Sequence, residues 1–180
     1  MTTYYNINPR FYVSVDCIIF GFDKGSLKLL LLKRNFEPAK GSWSLMGGFV
    51  QDGESVDDAA KRVLAELTGL ENVYMEQVGT FGEVDRDPGE RVISVAYYAL
   101  ININEYDRNL VQQHNAHWAE INEIPPLVFD HSQMVNQARI MLQKKASSEP
   151  IGFNLLPSMF TLFQLQSLYE AIYGEPFDKR

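Results

Sequence analysis

Basic side chains are in deficit. Sixteen lysines and arginines face 23 aspartates and glutamates, a net charge of −7, so the chain carries no sequence-wide footprint for a phosphate backbone. Any nucleic-acid contact has to come from a local element. Cysteine is nearly missing: Cys17 alone makes neither an internal disulfide nor a cysteine metal cluster, and its place in the apolar run "VSVDCIIF" reads as a buried thiol. No apolar run approaches the roughly 18 residues of a transmembrane helix. The opening "MTTYYNINPR" has neither the apolar region nor the cleavage site of a signal peptide, so a cytoplasmic address and no membrane partner are expected. Histidine is scarce as well. His114, His117 and His131 lack metal-ligand spacing apart from one i, i+3 pair in a loop, and neither a metal nor another cofactor is expected. Internal repeats and low-complexity segments are absent.

What is present suits one domain of about 150 residues with a small appendage. "FYVSVDCIIFGF", "DKGS" and "LKLLLLKR" read as a β-hairpin, apolar runs of strand length flanking a polar, glycine-containing turn. "NFEPAKGSW" reads as a loop leading to the adjacent Gly47 and Gly48, where close backbone approach or positive φ is expected. Ser55, with Asp58 three residues on, can cap a helix over about Val56 to Thr68 that Gly69 ends. Strands follow in "VYMEQVGTFGEV", "RVISVAYYALI" and "AHWAEI", then a helix in "HSQMVNQARIMLQKKA" with Met134, Val135, Ala138, Met141 and Leu142 at helical spacing. "SSEPIG" reads as a linker, and Thr161 can cap a last helix with Leu165, Leu168, Tyr169 and Ile172 on one face before Gly174. The division is 1–146 as first domain, 147–152 as linker and 153–180 as the start of a second.

"GGFVQDGESVDDAAKRVLAELTGL" resembles the Nudix box, G-x5-E-x7-R-E-U-x-E-E-x-G-U with U a bulky aliphatic residue. Gly48, Glu54, Arg62, Leu64, Glu66, Gly69 and Leu70 fall on their places without a gap. The resemblance covers about residues 11 to 145. It implies an α/β fold, the Nudix-like mixed sheet sandwiched between helices. The departures carry the functional reading. Val63 and Leu67 stand where two glutamates belong, leaving Glu66 alone of a trio that the helical spacing i, i+3, i+4 places in one patch. In an active relative that patch holds Mg²⁺, a hard cation needing oxygen ligands. Val56, Ala59, Ala60, Val63, Leu64 and Leu67 form a continuous apolar stripe instead, so no catalytic residue is assigned. Glu54 and Arg62 are expected to persist as a structural ion pair or loop anchor rather than as catalysts.

A pocket beside such a helix would still bind. Trp43 and Phe49 flank the double glycine and can stack on a ring; Lys33, Arg34, Glu66, Glu83, Asp85 and Arg86 complete the candidate ligand-binding set. The competing interpretation for the aromatics is packing, and for each isolated charge a solvated surface. The tail "FNLLPSMFTLFQLQSLYEAIYGEPFDKR" resembles the opening of the C-terminal winged helix of Nudix-related transcriptional regulators, in which a degenerate Nudix domain senses a small molecule and the winged helix binds operator DNA. Residues 151–180 hold two basic and three acidic side chains, Lys179 and Arg180 being the basic pair. The DNA-reading elements are therefore expected beyond this chain, which looks truncated in its second domain. Members of that class respond to a sugar such as arabinose or to ADP-ribose. Loss of the metal carboxylates favours the neutral sugar, while Arg34, Arg86 and Arg91 keep ADP-ribose open. Two further readings are a hydrolase whose metal ligands have moved to Glu83, Asp85, Glu90 or Glu120, and a pure dimerisation module. A homodimer formed through long strands and the aromatic arm "YYNINPRFY" suits any of these.

Overall fold

The computed structural model describes residues 4–104 and 108–177. Lys179 and Arg180, and most of the helix entry anticipated at "FDKR", lie outside them. After a 3₁₀ turn at Tyr4–Ile7 come β1 (Tyr12–Asp23) and β2 (Ser26–Lys33). Their two-residue turn places Lys24 at φ 50° and Gly25 at φ 83°, the left-handed pair that matches strand twist in a tight hairpin. The chain continues through β3 (Trp43–Ser44), β4 (Met46–Phe49), α1 (Val56–Thr68), β5 (Tyr74–Phe81), β6 (Val92–Ile101), α2 (Arg108–Gln113), β7 (Ala116–Glu120), α3 (His131–Ser148), α4 (Gly152–Leu155) and α5 (Leu162–Tyr173).

The seven strands among the described residues form one mixed sheet with the spine β3-β2-β1-β6-β5, β4 pairing with β1 and β7 with β2. β1 runs parallel to β6 from Tyr12 opposite Val92 to Gly21 opposite Ile101. Its other edge is shared: Ser14–Cys17 pair with β4 and Phe20–Asp23 with β2. Alternation along the strands builds two cores. Val15, Cys17 and Ile19 join Val95, Tyr97 and Ala99 beneath α1, whereas Ile18, Phe20 and Phe22 join Ala96, Tyr98 and Leu100 beneath α3 and α5.

The cap and stop of α1 fall where the sequence places them. Ser55 Oγ accepts the Asp58 N–H at 3.1 Å, and Gly69, at φ 71°, donates its N–H to Ala65 O. Val63, Leu64 and Leu67 are buried, each burial contributing roughly 1.5–3 kcal/mol. Two expectations need correction. The loop assigned to "NFEPAKGSW" ends one residue early, because Trp43 already pairs with Lys33 in β3, and the double glycine that follows lies in β4 against the N-terminal edge of β1. Ser147 and Ser148, assigned to a linker, complete the last turn of α3. The last helix packs on the first domain: Leu168 and Ile172 are buried in the same cluster as Met134, Val135, Ala138 and Leu142 of α3. Helix α2 had no sequence signal strong enough to mark it.

Candidate functional site

The α3 side of β1 turns polar at its N-terminal end. The alternation that buries Ile18 and Phe20 puts Ser14 and Asp16 on the same face, and there the protein holds a cavity of about 370 Å³. The β2–β3 loop contributes Arg34, Phe36, Glu37 and Pro38, the β5–β6 loop Arg86 and Asp87, and the entry to α3 Phe129 and His131; Ser44 and Leu45, Gly47 to Phe49 and Val92 close it from the sheet. Gly47 is required: a Cβ there would lie 2.5 Å from Asp16 Oδ1 and 2.9 Å from the Val15 carbonyl oxygen.

Buried charge is concentrated in this wall. Arg86, 8% exposed, donates from Nε and Nη2 to both oxygens of Asp130 at 2.8 and 2.7 Å, and Nη2 stands 3.7 Å from Asp16. Burial by itself lowers the pKa of Arg86, but Asp130, Asp16 and Asp87 together raise it above the ordinary arginine value. Asp16 Oδ2 accepts the Ser94 hydroxyl at 2.5 Å. His131 Nδ1 accepts the Leu45 N–H at 3.0 Å, which leaves the proton of the neutral ring on Nε2, 3.7 Å from Asp16 Oδ1. Burial holds His131 below its usual pKa range. Arg34 donates to the Pro38 carbonyl at 2.8 Å, and its guanidinium carbon lies 4.3 Å from the Phe36 ring centroid and 5.4 Å from that of Phe129. Cations against flat rings, beside carboxylates, can bind phosphate, hydroxyl and planar groups together.

Of the residues singled out from sequence, Arg34, Phe49 and Arg86 meet in this wall. Phe49 is half exposed and packs on Tyr12, with ring centroids 5.5 Å apart. Lys33 and Trp43 are absent from the wall; Lys33 Nζ lies 5.7 Å from the Trp43 ring, which meets His117 edge-on. Glu83 and Asp85 are exposed on the loop that carries Arg86. Glu66 borders a second hollow of about 250 Å³ with Arg62, Val63, Leu67 and His114. The solvated-surface interpretation fails for Arg86. The sequence offers no local pattern that selects Phe36, Phe129 or Asp130, loop and helix-entry residues, and it marks His131 only as lacking metal-ligand spacing. For Asp16 the one available signal is an acid at an inward position of "YVSVDCIIF".

The residues beside α1 do not fit the Mg²⁺ site of the box. Val63 and Leu67 are 3% and 8% exposed, and Val63 Cγ2 lies 3.0 Å from the position a Cβ on Gly48 would occupy. Apolar groups sealed into the core offer a hard cation no oxygen. Glu66 is more than half exposed and lies 3.4 Å from Arg62. Glu54 makes the expected structural pair: both its oxygens accept from Arg62, at 2.7 and 3.0 Å, and this pairing holds its carboxyl at about 2. Arg62 also donates to the Phe49 carbonyl, tying α1 to β4. Glu120 pairs with Lys28 at 2.8 Å along the β2–β7 edge.

Comparison with known proteins places this architecture. Residues 10–139 match the NUDIX domain family and residues 152–180 the NrtR DNA-binding winged helix domain. The ADPR responsive transcriptional repressor NtrR of Acinetobacter baylyi is 35% identical over 176 residues, 96% of this chain and 70% of that protein. The ADP-ribose pyrophosphatase of Methanocaldococcus jannaschii is 32% identical over 70% of this chain and 74% of its own length. The crystal structure of Shewanella oneidensis NrtR superposes with a TM-score of 0.85 at 32% identity, covering 93% of this chain and 80% of that one. Its NUDIX domain complexed with ADP ribose gives 0.61 at 28% identity, over 78% and 94%. No described helix is long and apolar enough to cross a membrane. A Nudix fold with an altered box and a winged-helix match after it together show that this chain belongs to the Nudix-related transcriptional regulators.

Proposed function

We propose that this regulator senses ADP-ribose in the 370 Å³ cavity, does not hydrolyse it, and passes its occupancy to operator binding through the winged helix. The observation that carries the reading is the wall itself, in which Arg34 and Arg86 stand among Phe36, Phe49 and Phe129. Phosphates need cations, an adenine needs a flat apolar face, and ribose hydroxyls can donate to Asp16, Glu37 and Asp87. A neutral pentose requires neither arginine. Arabinose, favoured from sequence because the metal carboxylates are gone, thus gives way to the nucleotide effector. The named relatives support the same choice, one as ADPR responsive and one crystallised with ADP ribose.

The absence of hydrolysis rests on Val63 and Leu67, which cannot supply the ligands by which a cation activates water. Domain boundaries at 1–146 and 153–180, and a homodimer built with the exposed Tyr4, Tyr5, Phe11 and Tyr12, belong to the same proposal. A thermal-shift series tests the effector directly, since a ligand that binds the native state raises its melting temperature. ADP-ribose should raise it in EDTA and arabinose should not. A shift with arabinose alone would return the sugar to first place.

A further inference from the structure

The helix that walls the cavity is also the helix that carries α5. Phe129 and His131 line the cavity and Asp130 between them holds the buried Arg86, so three consecutive residues at the entry to α3 belong to the site. Farther along the same helix, Gln143 Nε2 donates to the Ile172 carbonyl at 3.0 Å and Tyr173 donates its hydroxyl to the Gln143 carbonyl at 3.2 Å. Met134, Val135, Ala138 and Leu142 share one buried cluster with Leu168 and Ile172. Lys145 fastens the C-terminal turn to Glu76 of β5 at 3.0 Å. An 18-residue helix of roughly 27 Å therefore spans the distance from cavity to α5.

The entry of that helix is held in an unusual state. Asp130 occupies the N-cap position, where an aspartate ordinarily accepts from the first turn, yet its side chain makes no capping bond. Both carboxylate oxygens are taken by Arg86. Phe129, just before it, sits at φ 53°, a left-handed conformation that a bulky side chain adopts only under constraint.

We infer that the Arg86–Asp130 ion pair is a latch between effector and DNA-binding module: an anionic group of the effector competes with Asp130 for Arg86, and the released carboxylate caps α3 and resets the helix on which α5 rests. The latch rests on the reading of the cavity as the effector site. It gives the signal two discrete arrangements, Asp130 on Arg86 or Asp130 on its own helix, which a binding event can bias. The exchange breaks and forms only hydrogen bonds and ion pairs.

Hydrogen–deuterium exchange on the whole chain decides the matter. Asp130→Asn abolishes the ion pair and keeps a good N-cap, and Asp130→Ser does the same with a shorter side chain. Without ligand, either variant should change exchange in residues 162–173 by about fivefold relative to the parent, with β6 unchanged. An effect confined to residues 128–135 in both variants would overturn the latch. In the second arm, the variants should bind ADP-ribose about five- to tenfold more tightly, because its anion no longer displaces a carboxylate, and should show no further ligand-induced change at residues 162–173. Weaker binding in both variants would also overturn it, since damage without competition predicts that outcome. Failure of the parent itself to bind ADP-ribose would strike the effector reading, while the ligand-free arm would still decide the latch.

Discussion

Two hollows flank β4, and they treat charge in opposite ways. Beside α1, the positions at which the box places metal-binding carboxylates are sealed with Val63 and Leu67, and the remaining Glu66 faces solvent. Across the sheet, Asp16 and Arg86 stay buried at 7% and 8% exposure, beside the buried ring of His131. A fold that had merely decayed would have no reason to keep ionised groups out of water, where each costs several kcal/mol unless matched. The difference teaches that beside α1 the carboxylate positions of the box have become core packing, while across the sheet charge stays buried because it is paired.

The strongest way to break that comparison is Arg86→Ala. It strands Asp130 and Asp16 without their cation, so stability should fall by about 3–5 kcal/mol in urea titration, and ADP-ribose binding should disappear. An unchanged denaturation midpoint would show that the pair is an ordinary surface contact.

Much of the frame around these hollows was legible in the sequence. Alternating apolar runs and the turn at Lys24–Gly25 mark the hairpin, while Ser55, Gly69, Thr161 and Gly174 mark α1 and α5 because caps are local chemistry. The box spacing marks both the Nudix fold and its two altered positions. The cavity was legible only in part. Arg34, Phe49 and Arg86 were selected for type and proximity to the box, but Asp130 meets Arg86 across 44 residues and His131 meets Leu45 across 86. Such partners are set by how α3 crosses the sheet, and no local pattern records that. Trp43 shows the converse, since its neighbours are fixed by strand pairing, which turns it toward Lys33 and His117.

Gly47→Ala sharpens the comparison next. Its Cβ would press on Asp16 and on the Val15 backbone, so a loss of about 1–3 kcal/mol is expected; Gly48→Ala meets only a Val63 methyl and should lose less. Equal losses would mean that both faces of β4 yield alike. A smaller effect concerns pH. His131 has a folded-state pKa depressed by burial, so the unfolded chain binds its proton more readily. Its contribution to stability is present above an unfolded pKa of about 6.5 and is lost as pH falls through the lower folded value. His131→Gln should flatten that part of the pH–stability curve, and an unaltered slope would remove His131 from the account. The smallest expected effect is that of Glu66→Gln, under about 1 kcal/mol with or without Mg²⁺, because Glu66 pairs with Arg62 at 3.4 Å on an exposed face. Strong metal-dependent loss of ligand binding in that variant would show a working one-carboxylate site.

The most direct test is calorimetry of the whole chain with ADP-ribose, run first in EDTA and then in Mg²⁺, with the contents of the cell analysed for cleaved nucleotide afterwards. Saturable binding of equal affinity in both buffers, with the ligand recovered intact, is the predicted result. Binding that appears only with Mg²⁺, or turnover at about 1 per second or faster, would contradict it.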